Sequence, residues 1–161
     1  MKGPILRPTE PLPLYHSWPI FERGKRFDLG YLFDAAALRG HSLVTLNPET
    51  LAAHKIGKWE CDLHDNSLTW TNAVFDIFGL PRDSCISRRE AVAFYCEESR
   101  AVMERLRRHA IRHSRGFTVD VEIRAIGGER RWMRLLAAPI IDDLRVVRLH
   151  GLKQDVTYEY R

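Results

Sequence analysis

The sequence predicts an α+β fold, one antiparallel sheet with helices packed on one face. Three observations lead there. Apolar and polar residues alternate over 56–63 and again over 117–125, the period of a half-buried strand. Between these runs the apolar residues recur at helical spacing, most clearly from Glu97 to Ser114. Two more strand-like stretches follow, so strands stand at both ends with helices between. The 161 residues and 45% hydrophobic content suit one domain, two at most, and exclude a large multidomain enzyme.

Pro4, Pro8, Pro11, Pro13 and Pro19 interrupt any ladder, so residues 1–20 are expected to form an extended, mobile or surface-draped tail. Phe27, Tyr31, Leu32, Ala35 and Leu38 then fall at near-helical spacing, closed by Gly40. Asn47 caps a short helix whose first residue is Pro48 and which runs over Leu51–His54. These helices need a surface to bury against.

Gly57, Trp59, Cys61 and Leu63 share one face of the first strand, opposite Lys58, Glu60 and Asp62. His64-Asp65-Asn66 turns the chain into a second strand over Ser67–Thr71. Asn72 is expected to cap a helix through Phe75, Ile77 and Phe78 that stops at Gly79. Ser87 and Glu90 fit a capping box opening a helix through Val92, Phe94 and Tyr95. The long helix carries Met103, Leu106 and Ala110 on one face and Arg105, Arg108 and Arg112 on another. Phe117 to Ala125 alternates throughout, Gly127-Gly128 makes a hairpin turn, and strands over Arg130–Ile141 and Leu144–Val156 close the chain.

Lys+Arg 25 against Asp+Glu 21 leaves a modest positive charge, concentrated on the segment 97–116, which reads as a helix, at Arg100, Arg105, Arg107, Arg108, Arg112 and Arg115. A solvated helix face explains it better than a nucleic-acid patch, because no aromatic interleaves those arginines to stack a base. No apolar run approaches a membrane span, and the N-terminus lacks the apolar core of a signal peptide, so a cytoplasmic protein is expected. Cys61, Cys85 and Cys96 lack the spacing of a disulfide framework or a structural zinc.

In the strand from Arg130, Met133, Leu135 and Ala137 face the helices, which turns Trp132 and Leu136 outward among arginines. Trp132 could be shielded by the stems of its neighbours. A cover fits better, supplied by the N-terminal segment around Phe27–His54, by a second subunit, or by both.

Ile56-Gly-Lys-Trp-Glu-Cys-Asp-Leu63, Leu68-Thr-Trp-Thr-Asn72 and Phe75-Asp-Ile-Phe-Gly79 resemble the opening of a PAS domain of the bacterial signalling type. Gly116 to Arg124, Gly128-Glu-Arg-Arg-Trp-Met-Arg134 and Leu149-His-Gly-Leu-Lys-Gln-Asp-Val-Thr157 resemble its closing strands. The resemblance covers residues 56–157. It implies a five-stranded antiparallel sheet with short helices on one face, preceded by an N-terminal extension over 1–55 and followed by a tail over 158–161. It departs from the family at Cys96-Glu-Glu-Ser-Arg100, where a His-Pro-Glu-Asp-Arg-like start to the long helix is usual. In the family the Asp-Val-Thr ending passes into an effector, so output here is expected to reach a separate effector or regulatory protein.

Photosensing relatives carry a reactive cysteine in a Gly-Arg-Asn-Cys-Arg-Phe-like helix beside a flavin, and neither Cys85 nor Cys96 has those neighbours. Haem-binding relatives place an inward histidine near Met103, whereas His109 and His113 come later beside arginines. His109 and His113 share a helix face but lack a third ligand, so no metal is expected. No catalytic motif with interpretable spacing is present, and no enzyme activity is expected.

Binding remains. Cys61, Phe75, Phe78, Tyr95, Met103, Leu106, Val121, Ile123 and Met133 would line any pocket between helices and sheet. The same residues describe a filled core, which so many large side chains favour. The expectation is a stand-alone sensor or interaction module in signal transduction. It would act as a homodimer through Phe27, Tyr31, Leu32, Leu38, Trp132 and Leu136, without a resident cofactor. The alternative is a sensor that binds haem, flavin or another small molecule.

Overall fold

The alternating runs become strands, and the long-range pairing joins them into one antiparallel sheet. A computed structural model describes residues 13–27 and 47–160. The strands are β1 (Tyr15–Pro19), β2 (Ile56–Asp62), β3 (Ser67–Trp70), β4 (Arg115–Arg124), β5 (Arg130–Asp142) and β6 (Arg145–Asp155). They lie in the order β1-β4-β5-β6-β2-β3. The helices are α1 (Arg23–Arg26), α2 (Pro48–Ala53), α3 (Asn72–Phe78), α4 (Arg88–Ala93) and α5 (Glu97–His113).

The sheet has six strands rather than the expected five, and the sixth comes from the segment expected to be a tail. Prolines tolerate an edge strand, and Pro19 stands at the end of this one. Trp18 lies opposite Gly116, where a Cβ would sit 2.1 Å from the indole ring. The bare glycine therefore admits the ring, and its Nε1 donates to Thr118 Oγ1 at 3.0 Å. Burial of Trp18 fixes the strand in place of a mobile tail.

Local signals set most helix ends. Asn47 Oδ1 accepts from the Thr50 N–H at 2.8 Å. Ser87 Oγ accepts from the Glu90 N–H at 3.1 Å while Glu90 Oε1 accepts from the Ser87 N–H at 3.3 Å, completing the capping box. Gly79 ends α3 in the left-handed region at φ 72°. The cap of α3 is Thr71 rather than Asn72. The Thr71 hydroxyl is taken up by the Lys58 N–H at 2.9 Å, which ties the helix start to β2. Phe27 closes α1, while Tyr31, Leu32, Ala35 and Leu38 of the expected helix lie outside the described residues.

Two apolar clusters flank the sheet. The larger contains Met133, Leu135 and Ala137 with residues of α3 and α5. The smaller, on the other face, joins Leu136, Ala138 and Leu152 to Trp18, Phe27 and Leu51. The N-terminal segment thus covers Leu136. Trp132 is covered from the opposite chain end, where Tyr160 stacks on it at 4.1 Å and 13°. That end forms a 3-10 turn over Thr157–Tyr160, started by Asp155 Oδ1 accepting from the Thr157 N–H at 3.0 Å. Glu159 and Tyr160, expected in a tail, are held on the sheet by Arg134 and Asp120.

Candidate functional site

Alternation along β6 puts Leu149, Gly151 and Lys153 on the helix-facing side. Lys153 is the exception among apolar neighbours. It pairs with Gly57 of β2 and Leu135 of β5 and is only 6% exposed. Its Nζ lies 5.0 Å from the Trp70 ring, 5.2 Å from Phe78 and 5.5 Å from Trp59. Trp70 and Phe78 stack at 5.1 Å and 11°, so the ammonium faces a fixed aromatic group. Among the described residues no side chain or carbonyl accepts a hydrogen bond from this Nζ. Burial pushes its pKa down to about 7; nearby Cys61 opposes the shift and Arg88 adds to it.

Lys153 borders a cavity of about 50 Å³ between the sheet and helices α4 and α5. Trp59, Cys61, Leu135 and Leu149 form its sheet wall, and Arg88, Val92, Met103 and Arg107 its helix wall. Arg88 pairs with Glu104, and half-buried Arg107 donates to Asn66 Oδ1 at 3.2 Å. Burial pushes the Cys61 thiol up, partly opposed by Arg107, and burial likewise raises Tyr95, so both stay protonated. Trp70 Nε1 is buried and has no hydrogen-bond partner. Trp59 links this cavity to the other face: its Nε1 donates to the Leu136 carbonyl at 3.2 Å.

Of the nine pocket candidates, Cys61, Tyr95 and Met103 line this cavity. Phe78, Leu106, Val121, Ile123 and Met133 are packed into the larger cluster, and Phe75 is buried edge-on against Trp70. The site residues that sequence reasoning missed are Trp59, Trp70, Arg88, Arg107 and above all Lys153. The signal for Lys153 was available as a charged residue in phase with Leu149 and Gly151.

Ligand pockets for drug-sized molecules run to about 300–1,000 Å³. The cavity beside Lys153 is far smaller and is walled by large packed side chains, so a flavin or haem ring system does not fit it. Met103 stands in its wall and supplies no haem-ligating imidazole. The His109 and His113 rings are 4.5 Å apart, and among the described residues no three His, Cys, Asp or Glu converge as a metal site. Cys96 stands at the cap of α5 and Cys85 is exposed, both away from the cavity lining.

An antiparallel sheet with α3 to α5 on one face is the architecture of PAS domains, and solved structures share it. The N-terminal domain of a diguanylate cyclase with PAS/PAC sensor from Marinobacter aquaeolei matches with TM-score 0.61 and 16% identity, over 66% of this chain and 99% of that one. A sensory box histidine kinase/response regulator from Burkholderia thailandensis matches with TM-score 0.59 and 16% identity, over 68% and 83%. An RNA-binding light-oxygen-voltage receptor matches with TM-score 0.59 and 14% identity, over 66% of this chain; the match spans only 30% of that receptor. No family model and no curated protein matches the sequence. The chain has the PAS fold. Among its described residues no helix is long and apolar enough to cross a membrane.

Proposed function

We propose that this chain is a cytoplasmic sensory module in signal transduction, binding a small molecule in the helix–sheet cavity and acting on a partner protein without chemistry of its own. The observation that carries the reading is the cavity itself, an opening with charged walls in the centre of an otherwise apolar interior. Trp59 supports a route outward, since its ring borders the cavity while its Nε1 holds the Leu136 carbonyl. The Leu136 side chain belongs to the cluster with Trp18 and Phe27, so occupancy would bias how the N-terminal segment packs. The names of the similar proteins, a histidine kinase and a diguanylate cyclase, support a signalling context. Native mass spectrometry of the full chain tests the reading. A retained small molecule supports it, and a chain that takes up no ligand from any compound set removes it.

A second reading is a homodimer formed through the N-terminal segment and the outer sheet face. Phe21, 84% exposed, favours it as an apolar group of the N-terminal segment, next to Ile20, which packs on the outer-face cluster. Trp132 and Leu136 have covers within the chain, so Phe21 is the better anchor. Light scattering of Trp132→Ala and Phe21→Ser separates the two contributions. A dimer unchanged in both variants excludes this surface.

A further inference from the structure

We propose that the cavity binds a short-chain organic carboxylate, with Lys153 as the group that receives its charge. The inference rests on the reading of the cavity as a ligand site and adds the chemistry of the ligand.

A lysine ammonium has three donors, and burying it without an acceptor is costly. Three aromatic rings at 5.0–5.5 Å offset part of that cost but satisfy none of the N–H groups. The aromatic group also holds a second unpaired donor, Trp70 Nε1. The cavity lining contains three cations, Arg88, Arg107 and Lys153, and no carboxylate. Glu104 partners Arg88. An anion entering here would meet donors and positive charge, whereas a cation would add to the repulsion between Lys153 and Arg88.

Size and wall chemistry narrow the class. A bound water needs about 10–15 Å³ on this measure. The cavity of about 50 Å³ therefore suits a handful of heavy atoms. Val92, Met103, Leu135 and Leu149 give it an apolar side opposite the charge, which suits an alkyl chain better than an inorganic anion. Acetate and propionate have that form: a carboxylate for Lys153 and one or two carbons for the wall.

The test uses the full chain and sodium propionate, with propionamide as the neutral isostere and sodium chloride at equal ionic strength. Measurements are made below pH 7, where Lys153 keeps its proton and Cys61 and Tyr95, both raised by burial, hold theirs. Trp59 and Trp70 beside Lys153 provide a fluorescence signal. Propionate is expected to give a saturable change that Lys153→Met weakens by about ten- to a hundred-fold, the size of a charge-assisted hydrogen bond. In the unsubstituted chain with labelled lysine, the Lys153 Nζ resonance is expected to move with propionate only, a readout independent of any variant. Equal binding of propionamide, an equal effect of sodium chloride, or undiminished propionate binding by folded Lys153→Met overturns the carboxylate assignment while the cavity stays a ligand site. Failure of every small molecule to bind overturns the sensory reading as well.

Discussion

Arg134 donates two hydrogen bonds to the carboxylate of Asp120, at 2.8 and 2.9 Å, from the position directly opposite on the neighbouring strand. The Asp120 side chain is fully buried, and the Tyr160 hydroxyl donates to the same carboxylate at 2.5 Å. Asp120→Ala removes all three bonds and leaves a largely buried guanidinium with Glu159 as its remaining carboxylate. A loss of about 3–5 kcal/mol is expected, the size seen when one partner of a buried pair is removed. Urea denaturation of the variant measures it, and a loss below about 1 kcal/mol would contradict the account.

Lys153→Met should stabilise the folded chain in the absence of ligand. The change removes a buried charge without an acceptor and keeps an apolar stem of similar length, for a gain of about 1–3 kcal/mol near neutral pH. Thermal unfolding at pH 7 reads the sign directly.

The same lysine sets a pH dependence. Unfolded, it keeps its proton to about 10.5; folded, it releases it at about 7 because burial disfavours the charge. Folding therefore expels a proton between these values, and the unfolded chain binds more protons there. Stability rises with pH across that window and the penalty is at full size below it. Subtracting the profile of Lys153→Met isolates this contribution, and a flat difference from pH 7 to 10 would refute it.

Gly116→Ala places a methyl group 2.1 Å from the Trp18 ring, so the indole must leave its position over β4. The expected loss is about 1–3 kcal/mol, as for other overpacked sites. Near-UV circular dichroism should change with it. Combining the substitution with Trp18→Leu should cost less than the sum of the two, because one contact is lost only once.

Ser87→Ala opens the capping box and frees the Glu90 N–H it satisfied. About 1 kcal/mol of stability should go with it, measurable by denaturant titration.

Periodicity made the sheet legible where the pattern was local and regular, as in β2 and β4, and the caps at Asn47 and Ser87 followed from side-chain chemistry alone. The outward turn of Trp132 and Leu136 also followed from strand phase. β1 did not, because proline spacing describes how a segment behaves alone, whereas Trp18 finds Thr118 a hundred residues away. The cavity was hidden for a related reason. A list of inward apolar residues is the same for a full core and a hollow one, and the departure at Lys153 was absorbed into a closing-strand resemblance. Asp120 and Arg134 belong between these cases, opposite charges whose meeting needed the register of β4 with β5.

β1 pairs with β4 on one side and with no strand among the described residues on the other. The five-stranded sheet expected from sequence would have offered β4 itself at that margin, ten residues of which seven are buried. Such a margin is a template on which a second chain can grow a continuous stack. Five residues ending in proline take its place, too short and too interrupted to propagate hydrogen bonding. The opening segment thereby also acts as insulation, limiting runaway polymerisation at the side of the sheet that it seals.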